Sequence, residues 1–156
     1  MKTKSYGKAI GVFLFFNFFA LYLGSFWTSP GVQSEWYQGL NQAPWTPPGW
    51  VFGAAWTLIM ICFAFYMASL FQRVPLQYIL KVYLVQWILN TSWNYFFFEL
   101  QKTAWALVII STLTLLILYL FWNFCHKLKA ISLLLLPYAL WLLLATSLNA
   151  YIWWHN

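Results

Sequence analysis

The stretch Ala43-Pro-Trp-Thr-Pro-Pro-Gly-Trp-Val-Phe-Gly-Ala-Ala-Trp56 runs directly into Thr57-Leu-Ile-Met-Ile-Cys-Phe-Ala-Phe-Tyr66. An apolar segment of membrane length thus opens on two prolines. Proline suits the first turn of a helix, because the N–H it lacks has no partner there anyway. Pro47 and Pro48 therefore set a rigid entry into a helix, with Trp45 at its interface. Pro48, Phe52 and Trp56 follow at i, i+4 and i+8 on one face. Beside them Gly49 and Gly53 form a smooth strip that a helix backbone or a ligand can approach closely. An interfacial aromatic belt accounts for Trp45 and Trp50. It accounts less well for Trp56, which lies about two turns deeper.

Composition points to a bilayer as the solvent. Of 156 residues, 63% are hydrophobic, 24% aromatic and only 6% charged. A soluble domain carries about 25% charged residues. Five apolar stretches, near 9–27, 49–71, 77–98, 104–125 and 130–154, each exceed the ~17 residues that cross ~30 Å of hydrocarbon. Transmembrane strands would alternate in polarity over ~10 residues, and these do not. The expected fold is an all-α membrane protein, one domain over 1–156, with five transmembrane helices and a long ordered loop between the first two. Lys2, Lys4 and Lys8 precede the first stretch as in a signal peptide. That apolar run is longer than the ~7–15 residues of a signal core, and no small-x-small cleavage site closes it. It is read as a retained helix.

With five spans, Lys2, Lys4, Lys8, Arg73, Lys81, Lys127 and Lys129 share one side, while Lys102, Glu35 and Glu99 share the other. The positive-inside rule puts the N-terminus in the cytoplasm and the loop 28–48 outside. The net charge of +6 is thus topological, and too thinly spread to signal nucleic acid. Cys62 and Cys125 have no metal-type spacing and read as small buried thiols. His126 and His155, at helix ends, read as interfacial residues rather than haem ligands. Gly7-x-x-x-Gly11 permits close helix contact. Asn17 is expected to face another helix. The loop 28–48 carries Trp36 and Tyr37, aromatics that packing alone does not demand there. The remaining connections are short, so helices 2–3, 3–4 and 4–5 form antiparallel hairpins.

Two helices carry unusual stripes. In the third, Gln86, Asn90, Trp93, Asn94 and Phe97 fall on one face. Amides within hydrocarbon are costly unless paired. They are either glue between helices or ligand contacts. In the fifth, Tyr138, Trp141, Ala145, Asn149 and Ile152 share a face, and Ala145 leaves a gap between larger neighbours. Pro137 is expected to kink this helix. Given the alternating helix directions, Trp56, Asn90, Trp93, Trp141, Ala145 and Asn149 all lie between the midplane and the outer face. Trp36, Tyr37 and Trp45 lie on that same side. The convergence predicts a pocket, to which Phe52 and Gln86 add their faces. No Asp, Glu, Lys or Arg stands mid-span, as coupled transporters and pumps normally require. No nucleophile sits beside a base, and no metal cluster appears. Indole, amide and phenol groups among aromatic walls suit a large, flat, mostly apolar ligand with a few polar edges.

The motif Trp45-Thr-Pro-Pro-Gly-Trp-Val-Phe-x-x-x-Trp56 resembles the signature of the TspO/MBR family, the translocator proteins or tryptophan-rich sensory proteins. So do Trp36-Tyr37 with Leu40, Leu89-Asn90-x-x-Trp93, Trp105-Ala106-Leu107, and Pro137-Tyr138-x-x-Trp141-x-x-x-Ala145-x-x-Leu148-Asn149. The resemblance covers nearly the whole chain. It implies a five-helix bundle, often a homodimer, in a bacterial membrane or the mitochondrial outer membrane. It implies a ligand pocket at the loop side for protoporphyrin IX, haem, benzodiazepine-type compounds or, in some members, cholesterol, with no required cofactor. It also implies that Trp36, Tyr37, Trp45, Trp56, Asn90, Trp93, Trp141 and Ala145 line the site. Some members promote light-dependent breakdown of protoporphyrin, for which Trp56 and Trp141 are the oxidisable candidates. The sterol pattern of an apolar residue, Tyr and a basic residue is broken here, since no Lys or Arg follows Tyr151. Weak sterol recognition by that route is expected. Four functions remain open: tetrapyrrole receptor or sensor, porphyrin photo-oxidase, porphyrin or lipid transporter, and a purely structural membrane protein.

Overall fold

The computed structural model describes residues 5–156. Five long helices are present: α1 (Tyr6–Gly31), α3 (Gly49–Phe71), α4 (Leu76–Asn94), α5 (Thr103–Leu128) and α6 (Leu136–His155), with a one-turn helix α2 (Glu35–Gln38) in the loop. Each long helix has at least 19 residues, enough to satisfy every backbone group internally across hydrocarbon. By length and apolarity, Tyr6–Gly31, Gly49–Phe71 and the region Thr103–His155 qualify as spans. The last holds both α5 and α6. Helix α4 falls short because it carries Gln77, Lys81, Gln86, Asn90 and Asn94.

The helices close into a ring in the order α1, α3, α6, α5, α4 and back to α1. Lipid is as apolar as leucine, so helix association rests on close packing and interhelical hydrogen bonds. The interior face of α3, with Met60, Phe63, Ala64, Tyr66 and Met67, is fully buried. Leu115, Trp122, Phe15 and Leu140 face outward. Asn17 donates to Met60 O over 2.8 Å and accepts from the Tyr83 hydroxyl over 2.7 Å, tying α1 to α3 and α4. Tyr66 donates to Leu120 O over 3.0 Å, tying α3 to α5.

Proline places the helix starts. Pro48 and Pro75 take the N-cap positions of α3 and α4 with extended ψ of 147° and 143°. Pro137 occupies the first turn of α6. The chain before it, Lys129–Leu135, is 3-10 helix, so the expected α-helix over 130–154 begins at Leu136. Pro137 therefore does not kink a helix; it opens one, where its missing N–H has no partner to lose. Helix α1 runs on through Pro30, which lies in its last turn, so the loop is shorter than 28–48. Gly7 and Gly11 meet nothing within 4 Å, and neither do Gly49 and Gly53. Within one chain, neither glycine pair serves a helix contact.

At the far end of α4 the chain widens into a π turn, Tyr95–Glu99. Leu100 N–H bonds Tyr95 O over 3.0 Å, and Lys102 N–H bonds Phe96 O over 2.9 Å. A π turn sets successive side chains closer together around the axis. Phe97 and Phe98, though adjacent, are both buried. They form the floor on which the loop rests.

Candidate functional site

The loop is ordered because it caps this aromatic floor. Ser34 opens α2, and its hydroxyl accepts from Tyr37 N–H over 3.2 Å. Trp36 and Tyr37 are thereby held over the π turn. Trp36 meets Phe97 edge-on at 5.7 Å between centroids, and Tyr37 meets Phe98 at 5.6 Å. Such pairs contribute about 0.5–1.5 kcal/mol beyond area burial. Burial holds the Tyr37 phenol above its ordinary pKa, so it stays neutral. Gly31 allows the approach: a Cβ there would lie 2.6 Å from Phe98 Cβ. The C-terminus closes the same end, where Asn41 N–H donates to Asn156 Oδ1 over 2.8 Å.

Helices α4 and α6 are not adjacent in the ring, yet their side chains meet across its interior. Trp93 donates its indole N–H to Asn149 Oδ1 over 3.2 Å, and Asn149 Nδ2 donates to Ala145 O over 2.9 Å. Nearer the basic end, Gln86 Nε2 donates to the Tyr138 hydroxyl over 2.8 Å. These two bridges set the register. Asn90 lies between Gln86 and Trp93, and so at the level of the α6 segment carrying Trp141 and Ala145. Helix α3 supplies the third wall. Phe52 meets Trp141 edge-on at 5.2 Å, and Trp56 meets Tyr138 at 5.9 Å.

Seven of the eleven expected site residues lie in two aromatic clusters, which Trp93 bridges. Gln86 and Asn149 join them through their bonds to Tyr138 and Trp93, and Asn90 stands between these two on α4. Trp45 goes elsewhere. Its indole donates to Ser147 Oγ over 3.1 Å, and its ring meets Tyr151 at 5.4 Å. Those partners lie two residues from Asn149, about 200° around α6. Phe97, Phe98 and Tyr138 were outside the expected set, although Phe97 and Tyr138 stand on its stripes. Phe98 carries no periodic signal, because the π turn breaks the α-helical period.

Polar satisfaction separates the amides. Asn94 is glue: its Oδ1 accepts from Thr28 over 2.7 Å and its Nδ2 donates to Asn90 O over 3.1 Å. Asn90 is a buried residue whose side-chain amide makes no hydrogen bond among the described residues. Gln86 Oε1 and Trp141 Nε1 are buried and unpaired as well. A hollow of about 310 Å³ between α3 and α6 is lined by Ala55, Leu58, Pro137, Leu140 and Trp141. Tyr151 stacks on His155 at 3.8 Å, at the rim of the bundle.

Among the described residues, no cluster of His, Cys, Asp or Glu could hold a metal. The model of the TspO/MBR family matches residues 12–155. The chain is 37% identical over 137 residues to the tryptophan-rich protein TspO of Archaeoglobus fulgidus, covering 86% of this chain and 88% of that one. It is 32% identical to the tryptophan-rich sensory protein of Cereibacter sphaeroides, covering 74% and 73% of the two chains. It is 30% identical to the translocator protein of Homo sapiens, covering 86% and 84%. This ring of five membrane helices, with its tryptophan-lined interior and capping loop, belongs to the TspO/MBR family.

Proposed function

We propose that the protein is a membrane receptor or sensor for tetrapyrroles such as protoporphyrin IX or haem, and for other flat hydrophobic ligands such as benzodiazepine-type compounds. The observation that carries this reading is the buried Trp141 indole N–H, which has no acceptor among the described residues. A buried unpaired donor costs about 1–3 kcal/mol. Gln86 Oε1 is buried and unpaired one turn from Asn90, whose side-chain amide makes no hydrogen bond among the described residues. A ligand with polar edges on an apolar plate would satisfy all three while stacking on Phe52, Trp56 and Trp93. Trp36 and Tyr37 would close the end, and Ala145 and Asn149 would border the plate.

The hollow of about 310 Å³ touches the proposed site only through Trp141, and its walls include the exposed Leu58 and Leu140, so it offers no ready-made space for a plate in the interior. A macrocycle therefore enters by parting the Phe52–Trp141 and Trp56–Tyr138 pairs. Titration with protoporphyrin IX in the dark, followed by tryptophan fluorescence quenching, tests the reading. Saturable quenching is expected, with affinity reduced about three- to tenfold in Trp141→Phe and Asn90→Leu. Equal affinity in both variants overturns the site, and an absence of saturation overturns the ligand. Illumination of the bound sample then decides between reception and photo-oxidation. Loss of the porphyrin band in wild type but not in Trp56→Phe or Trp141→Phe would make the protein an enzyme. Homodimerisation and residence in a bacterial membrane belong to the same reading.

A further inference from the structure

A larger hollow opens on the α1 and α4 side of the ring, away from α6. It is a groove of about 880 Å³ on the outside of the ring between α1 and α4. Its walls include Val12, Phe13, Phe16, Leu80, Leu84 and Trp87, and Lys8 stands among the lining residues at its mouth. On α1 it runs from Lys8 to Phe19, and on α4 from Leu76 to Trp87. Each run rises 11 residues, which at 1.5 Å each is ~16 Å. That is about half of the ~30 Å hydrocarbon thickness, the depth of one leaflet. Trp87 closes the deep end. Its indole donates to Phe16 O over 3.0 Å and its ring stacks with Phe19 at 6.3 Å.

Charge selects the occupant. The chain has only two acidic side chains, Glu35 and Glu99. Both lie at the opposite end of the bundle, one in α2 and one at the end of the π turn. Lys8 is exposed with no carboxylate of its own chain at its end. Arg73 is held at the same end, donating to Ser69 O over 3.0 Å, while Ser69 Oγ pairs with the Tyr6 hydroxyl over 3.1 Å. An apolar slot one leaflet deep, with the uncompensated Lys8 at its mouth, matches a molecule with an anionic head and a hydrocarbon tail. We propose that this groove holds one acyl chain of an anionic phospholipid from the leaflet at the basic end, with its phosphate on Lys8.

The test uses the full chain in phosphatidylcholine vesicles containing a minor fraction of dibrominated lipid, as phosphatidylglycerol or as phosphatidylcholine. The signal is the fluorescence difference between wild type and Trp87→Phe, which isolates the groove tryptophan. Brominated phosphatidylglycerol should quench that component with about fivefold preference over brominated phosphatidylcholine. Lys8→Gln should abolish the preference and leave quenching by phosphatidylcholine unchanged. Lys8→Arg should keep it. Lys81→Gln, off the groove on α4, should also keep it. Equal quenching by the two lipids in wild type overturns the proposal, as does a preference that survives Lys8→Gln. Protection of Trp87 from both lipids overturns it too, because the groove would then be covered by a second copy of the chain.

Discussion

Trp93 and Asn149 share a hydrogen bond of 3.2 Å that crosses the interior from α4 to α6. No neighbouring helix is needed to make it, since the two long side chains reach across the ring. The Asn149 amide is held for this role by its own bond to Ala145 O. Polar bonds between membrane helices couple by about 0.6 kcal/mol on average and ~1.7 at most. A double-mutant cycle of Trp93→Phe and Asn149→Leu should therefore give a coupling of about 0.6–1.7 kcal/mol in denaturant unfolding in mixed micelles. Full additivity of the two changes would mean that the bond contributes nothing.

Two glycines should respond in opposite ways. Gly31→Ala drives a methyl into Phe98 and should destabilise by about 1–3 kcal/mol. Gly11→Ala meets nothing within 4 Å and should be neutral or stabilising by up to about 1 kcal/mol through helix propensity. Thermal melts of both variants read the difference. Equal melting would show that the loop does not depend on the close approach of Gly31 to Phe98.

Asn17 is the most connected amide of α1. Asn17→Leu removes two interhelical bonds and strands the Tyr83 hydroxyl, while Met60 O keeps its bond within α3, for a loss of about 1–3 kcal/mol. Tyr83→Phe removes only one of the two bonds but leaves Asn17 Oδ1 buried without a donor, and should cost toward the lower end of the same range, about 1–2 kcal/mol. Unfolding in mixed micelles checks the order. A larger loss in Tyr83→Phe than in Asn17→Leu contradicts it.

The loop should loosen at high pH. Burial raises the Tyr37 phenol in the folded state. The stability it contributes is fully present below the unfolded value of roughly 10 and is lost as pH rises through the higher folded value. The fall in melting temperature between roughly pH 8 and pH 11 should be smaller in Tyr37→Phe than in wild type. Identical falls would mean that the Tyr37 proton is not linked to folding.

The helices and the membrane class were legible in the sequence, because in hydrocarbon each segment must satisfy its own backbone. That constraint is local, so a run such as 49–71 declares itself. The same locality made the proline entry into α3 readable from Pro47-Pro48. Phe52, Trp56, Trp93, Trp141 and Asn149 could be placed on their stripes from helical period, and all of them with the loop residues Trp36 and Tyr37 on one side from helix direction and the positive charge of the other side.

What the sequence could not decide was the use of each polar group, because the partner is always remote. Asn94 and Asn90 are a single turn apart on α4, yet Thr28 takes one and no described residue bonds the side chain of the other. Trp45, four residues before the α3 start in the same motif as Trp50, turned to the outer face of α6 because Ser147 offered an acceptor there. The π turn of Tyr95–Glu99 shifted the phase of Phe97 and Phe98, and no α-helical period survives such a shift. The 3-10 segment before Pro137 made that residue a helix start instead of a kink. The sequence by itself determined five membrane helices and an aromatic, uncharged interior, since those follow from local length, polarity and period. Only the tertiary structure decided which amides are glue, which indole is left unpaired and where a groove opens to lipid, because each depends on what a distant helix brings opposite.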